Sequence, residues 1–420
     1  MDISTGGDCM KILDLNVQVI RLPFRFSFKH SLASRNYSDN IVVIARLEGE
    51  HGIVTGYGES VPRDYVTGED AASAAERIRN EYLPRFAGQS FDHAISLREN
   101  IWQQFLDLEL DKQSKGASWC ALEIALLDAA AKAERLPLAE LISTIHPCHG
   151  DGIQYGAVIP FGKKKAFTAV AMFYKLFGFR TVKIKVGRDF DADLERVALA
   201  RKILGPRVIL RVDANCAWNA DEALRCAGKY RPYHVASYEQ PVPADDLEGL
   251  AKVSRNIPEQ VLADESLCSV EQARSLANER ICSAFNIRVS KVGGLLASAE
   301  IAQIASKAGI ARHMGAQVGE SGILSGAGRS FASTQERFDN YEGSNNFFLL
   351  KHDITNENLN VGTGGIGKLL PGYGLGVTIS EGRLAQMTQS SNVVARPRSQ
   401  SNDAPAPVGS GSSTTLTQKQ

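Results

Sequence analysis

Apolar and polar residues alternate along two early stretches, 12–21 and 41–57, and Glu50-His51-Gly52 breaks the second as a turn. A period of two marks strands with one covered face, so this region reads as an antiparallel meander. Helical spacing follows at 70–83, 94–106 and 118–134, which makes the first part of the chain an α+β unit. From about Gly152 the pattern changes. Short, nearly continuous apolar runs at 153–159, 181–186, 208–213, 235–239, 261–264, 284–291, 311–318 and 346–350 alternate with helical periodicity, as at 191–204, 298–307 and 326–337. Such alternation predicts parallel strands covered by helices. Eight repeats in roughly 200 residues suit a closed barrel better than an open sheet. The expected fold class is therefore α/β, a (β/α)8-type, TIM-like barrel with an N-terminal α+β domain. The expected division is 1–141 for the α+β domain, 142–371 for the barrel, and 372–384 for a strand (372–380) returning to the first domain. Residues 385–420, rich in Ser, Gln, Asn and Pro, read as a disordered tail.

Charge narrows the field of partners. Lys plus Arg (47) equals Asp plus Glu (47), so no global field draws in nucleic acid or an anionic membrane, and neither is expected as a partner. The seven cysteines (Cys9, Cys120, Cys148, Cys216, Cys226, Cys268, Cys282) stand singly. They read as thiols in a reducing compartment, not as a disulfide frame or a zinc site. Residues 1–14 lack a basic flank followed by an apolar run, and no segment is apolar enough to span a bilayer, so a cytoplasmic protein is expected.

The candidate chemistry lies in the barrel strands. In Thr-Val-Lys-Ile-Lys-Val (181–186) the period puts Lys183 and Lys185 on one face and Val182, Ile184 and Val186 on the other. The apolar face meets the helices, so both ammoniums point inward, where each is expected to depress the pKa of the other. A surface strand with two solvated lysines is the plainer alternative, and placement among buried strands argues against it. Asp213, Glu239 and Asp264 each end a strand candidate, about 25 residues apart, one strand-plus-helix unit each. A lone acid there is often a helix cap, as Asp264 or Glu265 could be. Three in register, with no His or Cys beside them, form a hard oxygen site suited to Mg²⁺, with Mn²⁺ as the alternative. One unit further on, Lys291 faces the first lysines across the site, and Glu320 ends the seventh strand at the same mouth. Such a set suits removal of the proton next to a carboxylate: the metal and Lys183 stabilise the resulting enediolate, while Lys185 and Lys291 act as base and acid on opposite faces.

These motifs resemble the enolase superfamily, in the mandelate racemase/muconate lactonizing enzyme branch that holds muconate cycloisomerases, dipeptide epimerases and o-succinylbenzoate synthases. The likeness runs from about Lys11 to Ser380. It rests on Lys-x-Lys, Asp-x-Asn at Asp213–Asn215, Glu-Gln-Pro at Glu239, Asp-Glu-Ser at Asp264, Lys-x-Gly-Gly at Lys291, and Gly56-Tyr57-Gly58-Glu59. The resemblance implies that Asp213, Glu239 and Asp264 bind the metal with Asn215 behind them. It implies further that Lys185 and Lys291 are the acid/base pair, that Lys183 and Glu320 assist, and that the first domain is a capping lid. Lid loops near 24–38 and 60–68 carry Lys29, His30, Arg35 and Arg63, and Arg35 and Arg63 are the candidates for a second anionic or polar group on the substrate. Dipeptide epimerases of the branch carry Asp-x-Asp near the eighth strand; here the nearest match is Asn340-Tyr341-Glu342. The expected outcome is cycloisomerisation, or racemisation or epimerisation, of a small carboxylate. Alternatives are a dehydratase of the o-succinylbenzoate synthase type, a dipeptide or N-acylamino acid epimerase, and a barrel kept only for binding. Homo-oligomers are common in such a family.

Overall fold

The early alternation becomes three long antiparallel strands, Met10–Lys29, Ser34–Gly49 and Gly52–Ser60, seen in a computed structural model that describes residues 9–29, 34–109, 116–143, 152–344 and 346–394. The Gly116–Ala133 helix lies on this sheet and is buried along nearly its whole length. It approaches so closely that a Cβ at Gly56 would stand 2.3 Å from the Ala125 carbonyl oxygen, and one at Gly58 2.0 Å from that of Ala121. The Gly-Tyr-Gly spacing thus answers to backbone-on-backbone packing.

Eight parallel strands follow in sequential order: Ala157–Ile159, Thr181–Lys185, Ile209–Asp213, Val235–Glu239, Gln260–Ala263, Ala284–Ile287, Ala311–Met314 and Asn340–Tyr341. A parallel bridge between Tyr155 and Tyr341, with Gly156 N–H donating to Tyr341 O at 2.8 Å, brings the two edges of the sheet together. Val182, Ile184, Leu210 and Val212 are fully buried toward the surrounding helices.

The structure departs from the sequence expectation in four places. The eighth strand is Asn340–Tyr341, while the apolar run expected to form it is the helical turn Asn346–Leu349. A short apolar run reads alike whether it is buried as a strand or as a turn of helix. The sixth and seventh strands stop at Ile287 and Met314, so Lys291 sits on the helical turn Val289–Val292 and Glu320 on a loop. The helix expected over 326–337 begins earlier, as Gly322–Ser333, because Ser321 caps it by accepting from Ile323 N–H. Residues 372–380 form no strand; the chain returns to the first sheet through Thr388–Val394, which pairs antiparallel with Met10–Lys29. The tail expected from 385 therefore begins no earlier than 395. Edge pairing uses backbone groups, so a polar Thr-Gln-Ser-Ser segment can make it with no apolar pattern to announce it. Residues 395–420, and His30 and Cys148, lie outside the described residues.

Candidate active site

Strand register assembles the site. Lys185 is paired with Asp213 and Asp213 with Glu239, so these three share one rung; Lys183, Arg211 and Ser237 form the rung beneath. Asp264 directly follows the fifth strand, and all three carboxylates are buried. The chain turns sharply just past these acids: Asn215 has φ +46° and Gln240 φ +34°. Gln240 Oε1 accepts from the N–H groups of Asp264 (2.8 Å) and Ser266 (3.1 Å), tying the fourth strand end to the fifth.

Each acid faces cations. Lys185 Nζ donates to Asp213 Oδ2 (2.5 Å) and Asn215 Oδ1 (2.8 Å). Lys183 Nζ donates to both oxygens of Glu239 (3.0 and 2.9 Å) and to Glu342 Oε2 (2.6 Å). Arg211 joins Glu239 Oε2 (3.1 Å) to Glu342 Oε1 (2.6 Å). Arg288 reaches Asp264 Oδ2 and lies 3.5 Å from Glu239 Oε1. Burial works against the charge of Glu239, but Lys183, Arg211 and Arg288 outweigh it and hold its pKa well below the usual carboxylate range. Asp213 is pushed up, by burial first and then by the neighbouring charge of Glu239. The expected mutual depression of the two lysines does not hold for Lys183. Burial opposes its charge, yet Glu239, Glu342 and Asp213 together raise its pKa above the ordinary lysine value.

Lys291 donates to Asp264 Oδ1 (2.7 Å), to Asn286 O (3.2 Å) and to the Asp264 carbonyl. Lys185 and Lys291 are thus anchored on acids from different strands, with Glu239 on the strand between. The Gly-Gly after Lys291 has a physical cause. Gly294 has φ +108°, and a Cβ there would stand 2.3 Å from Glu123 Oε1. That oxygen accepts from Leu295 N–H (2.5 Å) and Leu296 N–H (3.2 Å), so a carboxylate from the Gly116–Ala133 helix caps the Leu295–Ala308 helix.

A second remote carboxylate serves the next helix. Glu59 accepts from Ser321 N–H and Oγ–H, Leu324 N–H and Asn40 Nδ2. Arg63 is buried and donates to Val318 O (2.8 Å), Ser38 Oγ (2.7 Å) and Pro62 O (2.7 Å). These bonds hold the segment that presents Glu320, whose Oε1 accepts from Gln317 N–H (2.6 Å) and whose pKa burial pushes up to about 8. Glu320 lines a central cavity of about 240 Å³ together with Lys183, Lys185 and Arg288. Arg63 and Arg35 do not line it. Arg63 bolts the first sheet to the barrel, and Arg35 lies 3.9 Å from Asp64 in an outer cleft, so neither stands where the sequence places a substrate contact.

Arg211 belongs to the site and was not singled out from the sequence, and Glu342 entered only as the end of the Asn340-Tyr341-Glu342 match. Arg211 shares the inward face of its strand with Asp213, so alternation could have found it. The misplaced eighth strand hid that Glu342 directly follows a barrel strand, as Asp264 does.

The residues suit a divalent metal. Their donors are oxygen only, and they converge from adjacent strand ends. A cation already stands where two of them meet, since Arg288 touches Asp264 and approaches Glu239. Among the described residues no three acidic, His or Cys side chains form a ready-made cage, because each carboxylate is turned onto a lysine or arginine.

Comparison with known proteins covers both the first domain and the barrel. Residues 15–143 match the mandelate racemase/muconate lactonizing enzyme N-terminal domain, and residues 167–383 the family described as enolase C-terminal domain-like. The N-succinyl-L-Arg/Lys racemase of Bacillus cereus is 29% identical over 390 residues, covering 92% of this chain and 100% of the relative. A dipeptide epimerase from Enterococcus faecalis, solved with Mg and the dipeptide L-Leu-L-Tyr, superposes with a TM-score of 0.78 at 26% identity, over 88% of this chain and 99% of that one. Muconate lactonizing enzyme from Pseudomonas fluorescens, solved with muconolactone, gives 0.80 at 27% identity, over 90% and 99%.

Proposed function

Because the chain belongs to the mandelate racemase/muconate lactonizing enzyme family of the enolase superfamily, we propose that it racemises or epimerises a small carboxylate, passing the proton beside the carboxyl group between two lysines. The protein is an isomerase, and its chemistry begins with removal of that proton. The anchoring of Lys185 and Lys291 on either side of Glu239 carries the reading.

A carbon acid of this kind is far too weak for a free lysine, and the charge that develops on the carboxylate oxygens must be met by fixed positive charge. Asp213, Glu239 and Asp264 would hold Mg²⁺ or Mn²⁺, which when bound supplies part of that charge. Lys183, kept cationic between Glu239 and Glu342, supplies more. Asp213 and Asn215 take two of the three donors of Lys185 and leave the third for the cavity it lines, where Lys185 would serve one face of the carbon. Lys291, fully buried with its ammonium on Asp264 and Asn286, would serve the other face when Asp264 releases it. Glu320, protonated at neutral pH, offers an O–H to a substrate oxygen. In this reading residues 1–141 act as a lid, with Arg63 and Glu59 fastening it to the barrel.

Exchange in D₂O tests the assignment. Replacing either lysine by Ala should cut turnover by ~10²–10⁴-fold, the usual loss for a general acid or base. Lys185→Ala should still exchange the proton of the enantiomer facing Lys291, and Lys291→Ala that of the other. Loss of all exchange in only one variant would indicate elimination, as in a dehydratase of the o-succinylbenzoate synthase type. Wild-type turnover in both would rule the two-lysine mechanism out.

A further inference from the structure

The loop that presents Glu320 is held from the first domain on both sides of that residue. Before it, Arg63 donates to Val318 O (2.8 Å) and Asn40 Nδ2 to Gly319 O (2.8 Å). After it, Ser321 gives its N–H (2.9 Å) and its Oγ–H (2.6 Å) to Glu59. Gly319 has φ +97°, and a Cβ there would collide with the side chain of Ser38, so the loop lies directly on the Ser34–Gly49 strand. From the barrel, Arg288 reaches Gln317 Oε1 (3.2 Å).

Ser38 and Asn40 stand two residues apart on that strand and so share a face, and Val42 on the same strand is paired with Glu59. Ser38, Asn40 and Glu59 are all fully buried. Ser38 Oγ accepts from Arg63 (2.7 Å) and donates to Asn40 Oδ1, which turns the amide nitrogen of Asn40 toward Glu59 Oε1 (2.6 Å) and Gly319 O (2.8 Å). Both amide protons are then spent, and the opposite orientation would satisfy none of these neighbours. Arg63, Ser38, Asn40 and Glu59 thus form one hydrogen-bonded chain. A half-satisfied buried chain is costly, so loop and sheet are held together or released together.

Resting on the part given to Glu320 in the proton-abstraction reading above, we propose that Ser38 and Asn40 are positioning residues for the reaction: they make the placement of Glu320 in the cavity conditional on docking of the first sheet against the barrel. The charged groups around Glu320 pull in both directions. Glu59 raises its pKa, while Arg288 and Arg63 lower it. Lys183, Lys185, Glu342, Tyr155 and the Cys120 thiol complete its titratable surroundings. With the loop docked, burial outweighs the arginines and the carboxyl keeps its proton at neutral pH, with a pKa of about 8. With the loop released, water replaces the covering groups and the value falls back toward the ordinary 4.5. A docked first domain therefore yields a proton donor, and an undocked one an anion that repels a carboxylate.

The full-length enzyme with Mg²⁺, labelled with ¹³C at the glutamate side-chain carboxyls, is titrated by NMR from about pH 4 to 10. The Glu320 signal is the one missing from Glu320→Gln. Expected are a wild-type midpoint near 8 and midpoints at least ~1 pH unit lower in Ser38→Ala and Asn40→Ala. Lys132→Ala, which cuts bonds to Thr55 O and Asp128 elsewhere in the first domain, should lose stability and leave the midpoint where it is. Ser38→Ala, which removes one hydroxyl, decides the matter if Asn40→Ala does not fold. Midpoints equal to wild type in the folded variants, or an equal shift in Lys132→Ala, overturn this inference and leave proton abstraction standing. A wild-type midpoint near 4.5 overturns the donor role of Glu320 as well.

Discussion

Replacing Glu123 removes a cap that the barrel helix cannot supply for itself. The Leu295–Ala308 helix starts at Gly294, which has no side chain, and its first two amides donate to Glu123 Oε1. Glu123→Ala loses the cap, worth ~0.5–2 kcal/mol, and leaves buried N–H groups without a partner at ~1–3 kcal/mol each. Destabilisation of roughly 3–5 kcal/mol is expected, in the upper tail for single substitutions. Glu123→Gln keeps an acceptor oxygen and should cost ~1 kcal/mol or less. The two variants also differ from wild type in pH dependence. Burial raises the Glu123 carboxyl from the ordinary 4.5 to about 8, against the amide bonds from Leu295 and Leu296 that favour ionisation. The folded chain therefore binds this proton more tightly than the unfolded chain does. Stability from this group is fully present below about pH 4.5 and is lost as pH rises to about 8, by several kcal/mol at most. Denaturant unfolding between pH 5 and 9 should show a shallower fall in Glu123→Gln than in wild type. Because this cap fixes the start of the helix that follows Lys291, Glu123→Ala should also slow α-proton exchange. An Ala variant within ~0.5 kcal/mol of wild type, or equal pH slopes in wild type and the Gln variant, would refute the reasoning.

Two further outcomes are expected. Chelation by EDTA should abolish turnover and Mg²⁺ restore it, and Glu239→Gln should bind metal more weakly by calorimetry. That variant should also lose roughly 3–5 kcal/mol of stability, because Lys183, Arg211 and Arg288 share the Glu239 anion; full activity without metal would exclude the assignment. Ending the chain after Val394 should leave the melting temperature unchanged, whereas ending it after Met387 strips the strand paired with Met10–Lys29 and should lower it. Equal melting temperatures for the two truncations would show that the edge strand contributes nothing.

The positions of Lys183, Lys185, Asp213 and Glu239 are local consequences of sequence. A strand alternates its faces by geometry, and an apolar stripe at Val182 and Ile184 leaves the lysines only the barrel interior. Parallel pairing of consecutive strands then sets Lys185, Asp213 and Glu239 on one rung with no information from elsewhere. The family motifs and the strand–helix alternation are legible for the same reason. Most helix caps are also local: Asp189, Asn219, Asp246 and Ser269 each accept from an amide three residues on. What no local pattern carries is set by contacts between distant segments. Glu123 caps a helix 172 residues away, and Glu59 holds Ser321 262 residues away, so Glu123 reads in sequence as an unexplained acid in an apolar helix and Glu59 as the end of a motif with no stated partner. Arg63, read in sequence as a lid-loop charge for a substrate group, is spent on the Val318 carbonyl of the barrel and on Ser38 and Pro62 of its own domain. Glu342 depends on where the eighth strand falls, and that is decided by closure of the sheet at Tyr155 and Tyr341, not by the apolar run that follows. The sequence by itself determines the barrel and its inward-facing charges, because period and pairing are short-range. Only the tertiary structure decides which charges remain for a ligand, because that depends on which partners long-range packing has already assigned.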